Sequence, residues 1–252
     1  YKFKVSEDGI YRIPATYLQM SGVDMSRLNE SSVQIFHKGA EIPVHVQMNG
    51  SAVDYLEFYA SKNRGIMDAE LYSNGQFNTE YSLISDSAAY FLSLGSNGKR
   101  YQNLNANLNN LPQKEAFFMS KVVALPTLAW NAGKVYNIAG AQFSRSTFEY
   151  GEGYGGSLST SQNISVNTPN SYNGTAVAEI RMYSEGASHN LLIRANGQNA
   201  YNNVFYADSI MNHRFAFSGI QSTTTLTVIG AAGAADKHSI AYAAIEYARS
   251  FN

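Results

Sequence analysis

The chain has 252 residues, of which 44% are hydrophobic and only 15% charged, and it carries 18 tyrosines and 13 phenylalanines. Its 18 basic and 19 acidic side chains leave a formal net charge of −1, which provides no cationic stripe to neutralise phosphates and argues against nucleic acid as a partner. The absence of cysteine removes disulfides, thiolate metal ligands and thiol nucleophiles together, and no run approaches the roughly 20 apolar residues that cross a bilayer.

Aromatic and β-branched residues in alternating runs favour pleated, half-buried surfaces. The expected fold is mostly β: two adjoining antiparallel β domains, residues 1–112 and 113–252, the second a β-sandwich of jelly-roll type, with one short helix near the N-terminus. Residues 2–5 and 10–13 alternate around Glu7-Asp8-Gly9, which predicts a hairpin with glycine at a positive φ. Pro14 suits a first helical turn, Tyr17, Leu18 and Met20 give an apolar face, and Gly22 ends the helix. Strands are expected over 33–36, 42–48 and 55–59, separated by Lys38-Gly39 and Asn49-Gly50 turns. Residues 63–80, rich in Asn, Gly, Asp and Ser, read as a long surface connection before strands at 81–84 and 90–94. Ser96-Asn97-Gly98-Lys99 reads as a turn, and the Asn-rich stretch 103–110, ending near Pro112, reads as the domain boundary.

Beyond the boundary, residues 116–125 form a strand-like run and Trp130, the single tryptophan, is placed in a polar loop. Residues 148–156 combine glycines, tyrosines and two carboxylates, so their backbone can approach other groups closely, as a loop or bulged edge. Strands follow over 164–166, 176–183, 191–195, 213–217, 223–229 and 240–247 at the spacing of an antiparallel sandwich, with an Asn196-Gly197 hairpin turn. The small residues in the last strand suit close packing under neighbours.

Candidate chemistry is sparse. His37, His45, His189, His213 and His238 show no helical metal-ligand spacing, so surface or strand-edge positions are expected and no metal or other cofactor is assigned. No G-x-S-x-G nucleophile elbow and no phosphate-binding G-x-x-x-x-G-K-[ST] occurs, and no catalytic residue is assigned. Glu149 and Glu152 offer a carboxylate pair, too few for a calcium site without an Asp-rich loop, and a hydrogen-bonded loop is expected. Trp130, Tyr150, Tyr154 and Tyr172 are loop aromatics suited to stacking on sugars; with Glu149 and Glu152 they make up the candidate ligand-binding set, against the alternative that they pack as core edges. Asn29-Glu-Ser31, Asn163-Ile-Ser165 and Asn173-Gly-Thr175 fit the N-glycosylation pattern, which recurs by chance in chains of this composition.

The run Val5-Ser-Glu-Asp-Gly-Ile-Tyr-Arg-Ile13, with Tyr17-Leu18, Ser21-Gly22-Val23-Asp24, Val33-Gln-Ile-Phe36 and Gly39, resembles the N-terminal region of Bacteroidetes proteins related to the type IX secretion sortase and the gingipain-like C25 peptidases. Leu56-Glu-Phe-Tyr59, Asp68-Ala-Glu-Leu-Tyr72, Tyr81-Ser-Leu83 and Ser87-Ala-Ala-Tyr-Phe-Leu92 extend the resemblance. Residues 146–154 and Ala241-Tyr-Ala-Ala-Ile-Glu-Tyr247 resemble the second β-sandwich that precedes the peptidase. Asp86-Ser-Ala88 and Asp208-Ser-Ile210 also resemble the O-glycosylation acceptor of exported proteins in that group. The resemblance implies an accessory region, since the family's Cys and His pair belongs to a separate caspase-like domain to which no residue here corresponds. It also implies export to the cell surface, with Tyr1 in place of Met expected for a chain cleaved after a signal. The expected partners are a downstream domain of the same polypeptide or another surface protein. The expected role is non-enzymatic docking or spacing, with glycan binding or inhibition of a downstream cysteine peptidase as alternatives.

Overall fold

The computed structural model describes residues 1–73, 75–102, 114–143, 148–172 and 174–251. The boundary expected at 103–112, Ser146 of the resemblance and Asn173 lie outside the described residues. Strand accounts for 57% of the described residues and helix for 6%, and the chain divides into two compact units, residues 1–63 with 84–111, and 64–83 with 112–252.

The first unit contains β1 (Lys2–Val5), β2 (Gly9–Pro14), α1 (Ala15–Met20), β3 (Val33–His37), β4 (Ala40–Ile42), β5 (His45–Asn49), β6 (Ala52–Ala60) and β7 (Ala88–Leu94). They form two antiparallel sheets, β1-β7-β3-β4 and β2-β6-β5, whose apolar faces share a core that includes Val5, Ile35, Val46, Leu56, Phe58 and Leu92. The Lys38-Gly39 and Asn49-Gly50 turns form as expected, with φ of 50° and 77° at the first pair and 62° at Gly50, because only residues tolerant of the left-handed region close such short connections.

The expected β1–β2 hairpin does not form. β1 pairs with β7 and β2 with β6, and Gly9 lacks a positive φ. Each strand has one apolar face, and sending the two to opposite sheets buries both faces against one core, while Asp8 Oδ1 accepts the Lys62 N–H at 2.9 Å across the arch. In α1 only Leu18 is buried; Tyr17 and Met20 are exposed, so the apolar face of the helix is narrower than its sequence suggests. The expected strand 42–48 divides at Pro43 into β4 and β5 in different sheets, since proline cannot donate to the ladder.

The second unit contains a 3₁₀ helix (Gly65–Leu71) and strands β8 (Phe117–Ala124), β9 (Ala129–Ala132), β10 (Tyr136–Ile138), β11 (Ala141–Phe143), β12 (Glu152–Gly155), β13 (Ser161–Asn167), β14 (Thr175–Glu185), β15 (Ser188–Ala195), β16 (Gln198–Tyr206), β17 (Ser209–Ser218), β18 (Thr223–Gly230) and β19 (Lys237–Ser250). Two four-stranded sheets, β17-β14-β19-β8 and β13-β18-β15-β16, make the sandwich. The pairs β8–β19, β13–β18, β14–β17 and β15–β16 are those of one long hairpin folded over on itself, which is the jelly-roll topology. β16 escaped the sequence reading because Asn199, Asn202 and Asn203 interrupt its apolar alternation, and it lies at a sheet edge where Asn199 and Asn202 are exposed and Asn203 is only half-buried.

Residues 63–80 are not a surface connection and 81–84 form no strand. From Arg64 onward the segment joins the second unit, where Phe77, wholly buried, packs with Tyr183, Ala241, Tyr242 and Ala244. It covers the outer face of β14 and β19: Arg181 Nε donates to Phe77 O at 2.8 Å, and Asn78 Nδ2 donates to Ala241 O at 3.0 Å and to Tyr154 O at 2.9 Å. β19 is consequently buried on both faces from His238 to Ile245, which accounts for the alanines at 241, 243 and 244. The ladder shifts register opposite Arg181 and Met182, and Asn78 satisfies the carbonyl of Ala241, the residue passed over there.

The inner face of the sandwich holds Ile180, Leu191, Ile193, Leu226 and Ile240, all buried. His213 belongs to the same inward series as Phe215 and Phe217 and is 1% exposed; burial, helped by nearby His238, pushes its imidazole down to about 4.

Two outcomes follow from this packing. Phe77→Ala is expected to destabilise the second unit by about 3–5 kcal/mol without changing the first, as read by denaturant unfolding followed with probes in each unit. An unfolded imidazole takes up a proton near pH 6.5 and folded His213 only near 4, so acidification between those values favours the unfolded chain. Stability should be full above pH 6.5 and decline toward pH 4, with a shallower decline in His213→Phe; urea midpoints at pH 7.5, 6 and 5 measure both.

Candidate functional site

β9 and β12 form a two-stranded ribbon whose register sets Trp130 opposite Tyr154. Trp130 therefore lies in a strand and not in the polar loop expected. The two rings meet edge to face at 5.1 Å, and Tyr81 meets Tyr154 in the same manner at 5.4 Å. Trp130 is 48% exposed, so this edge presents an indole to solvent over a tyrosine support. The glycines beside it have a steric origin: Gly151 has φ 82°, and a Cβ there would come within 2.5 Å of the Tyr183 ring, as one at Gly155 would of Phe77.

The carboxylates near this ribbon serve as acceptors. Glu152 Oε2 accepts the Glu149 N–H at 2.7 Å, and buried Glu149 accepts the Tyr136 hydroxyl at 3.1 Å. Tyr150 packs on Tyr183 and its hydroxyl accepts the Ile210 N–H at 2.9 Å. Tyr172 is elsewhere: its N–H bonds Ala248 O near the far end of β19 and its ring stacks on Phe117 at 5.2 Å, whereas the β12 end of the ribbon bonds Ile240 O through Gly156. Of the six candidate residues, Trp130 and Tyr154 share one surface, Glu149, Tyr150 and Glu152 shape the adjoining turn, and Tyr172 stands apart.

The largest departure from the sequence reading concerns the histidines. His37 stacks on Tyr90 at 4.2 Å and His45 is exposed, but His189, His213 and His238 are each 1% exposed, inside the sandwich and not at its surface. His189 begins the inward series of β15, and His238 lies in β19 beside Ser184 of β14. Both imidazoles reach Asp236, which follows an exposed loop, residues 231–235. His189 Nδ1 lies 2.7 Å and His238 Nε2 3.2 Å from the same oxygen, Asp236 Oδ1. Asp236 Oδ2 accepts the N–H groups of Ala232 at 3.0 Å and Asn190 at 3.1 Å.

Burial opposes ionisation of Asp236, but the Ala232 N–H, His189 and the Asn190 N–H outweigh it and hold the carboxyl below its usual range. His238 is pushed down to about 4, chiefly by burial, and is neutral near pH 7. Ser184 Oγ lies 2.8 Å from His238 Nδ1, so a hydroxyl, an imidazole and a carboxylate stand in sequence. Ser184 is itself 1% exposed, and its oxygen cannot meet a substrate carbonyl while the sheets are closed. The signal available in the sequence was the inward alternation His189-x-Leu191-x-Ile193, His213-x-Phe215-x-Phe217 and His238-x-Ile240, in which each histidine opens an apolar series.

No protein-family model matches the sequence, and no curated protein matches it. Among solved structures, dimeric latent PorU from Porphyromonas gingivalis is similar over 99% of this chain at 13% identity and a TM-score of 0.58. A β-porphyranase of glycoside hydrolase family 86 from Bacteroides plebeius is similar over 100% of this chain and 35% of its own, at 8% identity and a TM-score of 0.34. A family 35 carbohydrate-binding module from Clostridium thermocellum is similar over 50% of this chain and 97% of its own, at 14% identity and a TM-score of 0.31. The chain spans about a quarter, 24%, of the PorU chain it matches, and what the two share is the fold.

Proposed function

We propose that this chain is a non-catalytic accessory region of an exported surface protein related to the type IX secretion sortase and the gingipain-like peptidases, acting in docking or spacing. The observation that carries this reading is the likeness in fold to PorU along 99% of the chain, in company with the N-terminal motif residues. Several of those residues build the fold: Gly22 and Gly39 take positive φ, and Asp8 ties the β1–β2 arch to Lys62 just after β6. No helix among the described residues is long and apolar enough to cross a membrane, and the burial of Ser184, His238 and Asp236, each 1% exposed, supports a structural role for their contact. Residues 1–252, purified, are expected to leave fluorogenic peptides and esters uncleaved. Turnover that disappears in Ser184→Ala would defeat the non-catalytic reading, and full inhibition of a matching peptidase by the chain added in trans would replace docking with inhibition.

A second reading takes the exposed Trp130 over Tyr154 as a stacking platform for a glycan, since an aromatic face held from beneath can lie on the apolar face of a sugar. Binding on a glycan array is then expected to be lost in both Trp130→Ala and Tyr154→Ala. An array without hits, or affinity unchanged in the two variants, removes this reading.

A further inference from the structure

We propose that His189, His238 and Asp236 form a binding site for a single divalent transition-metal ion of the zinc class, pinning the two sheets of the sandwich together beneath loop 231–235. The three side chains each offer a ligand atom within 4.8 Å of the others, and all three are buried. Two imidazoles and a carboxylate are the donor set of many zinc sites. His189 comes from the sheet β13-β18-β15-β16 and His238 from the sheet β17-β14-β19-β8, so an ion here would link strands that share no ladder.

The polar groups of the cluster are incompletely satisfied without an ion. His238 Nε2, one of the three ligand atoms together with His189 Nδ1 and Asp236 Oδ1, is buried with no hydrogen-bond partner; it lies 3.2 Å from Asp236 Oδ1 but without the alignment of a hydrogen bond. A buried ring nitrogen left so is unfavourable. Asp236 is moreover a buried carboxylate that no described lysine or arginine pairs with, an arrangement that a cation would balance.

The spacing also suits a small ion. Bonds of about 2.0–2.1 Å at tetrahedral angles put neighbouring ligand atoms roughly 3.3 Å apart, against 2.7 and 3.2 Å around Asp236 Oδ1, so a small outward shift opens the place. The supporting shell is already built: Ser184 Oγ holds His238 Nδ1 at 2.8 Å, and two backbone N–H groups fix the other carboxylate oxygen. Such partners orient metal ligands. The exposed loop 231–235 immediately before Asp236 supplies a short way in from solvent.

Titration of the chain with zinc chloride at pH 7.5, followed calorimetrically, is expected to show one tight site. At zinc about 100 times its Kd the melting temperature should rise by roughly 5–10 °C. His189→Gln and His238→Gln should abolish that site, Ser184→Ala should weaken it about 10- to 100-fold, and His45→Gln should leave it unchanged. Should the buried variants fail to fold, the wild-type chain still decides: imidazole nitrogen resonances of His189 and His238 should shift on zinc addition while those of His37 and His45 stay. Absence of saturable zinc uptake, uptake that survives in both glutamine variants, or shifts confined to His37 and His45 would overturn the proposal.

Discussion

A long strand with no solvent side must find apolar or hydrogen-bonding neighbours above, below and along both edges, and β19 is such a strand. It pairs with β14 on one edge and β8 on the other. Its inner face meets the sandwich core and its outer face meets the segment around Phe77 and Asn78. Side chains of ordinary size would hold those layers apart, so alanines occupy 241, 243 and 244 and glycines occupy 151 and 155 where Tyr183 and Phe77 lie across the backbone. The 3₁₀ helix, the β9–β12 ribbon and the jelly-roll core are all arranged around the sealing of this one strand.

The polar groups brought inside by that sealing are mostly partnered. Arg181, kept by burial below its ordinary range, donates to the carbonyls of Phe77 and Gln76; Asn131 donates to Ser239 Oγ at 2.8 Å, and Ser239 in turn to Gly156 O. Gln76 donates to the carbonyls of Gly65 and Asn78. These contacts replace water for a segment whose composition is that of a loop, and each fixes its position more narrowly than apolar packing would. The exceptions among the described residues are ring nitrogens of His189, His213 and His238 together with the hydroxyls of Tyr183 and Ser209.

How far the sequence could be read depended on the range of the interactions involved. The Lys38-Gly39 and Asn49-Gly50 turns, the helix stop at Gly22 and the close packing of small residues in the last strand were legible because backbone sterics and composition act within a few residues. The β1–β2 arch was not, because alternation tells which face of a strand is apolar and not which sheet it will join. Residues 64–83 misled for another reason: Asp68, Gln76 and Asn78 are polar yet buried, held by bonds to distant backbone that no local pattern announces. In the aromatic edge, the Trp130–Tyr154 pairing follows from a β9–β12 register invisible to composition. His189, His213 and His238 lie far apart along the chain, and only the folded-over hairpin of the jelly roll carries them into one interior.

The placement of residues 64–83 bears on how such a protein can be taken apart. The chain leaves the first unit after Asn63, contributes a layer to the second, returns before Ile84 and leaves again after Leu111. Three peptide crossings thus join the units, and the second is not a contiguous stretch of its gene. A fragment beginning at residue 112 would lack the lid over Tyr183, Ala241 and Tyr242 and would expose an apolar sheet face to water, the kind of surface that drives aggregation. Recombination or proteolysis at a single point would separate a sandwich from its own cover, so neither unit can be cut out of the chain as one continuous piece that keeps all its layers.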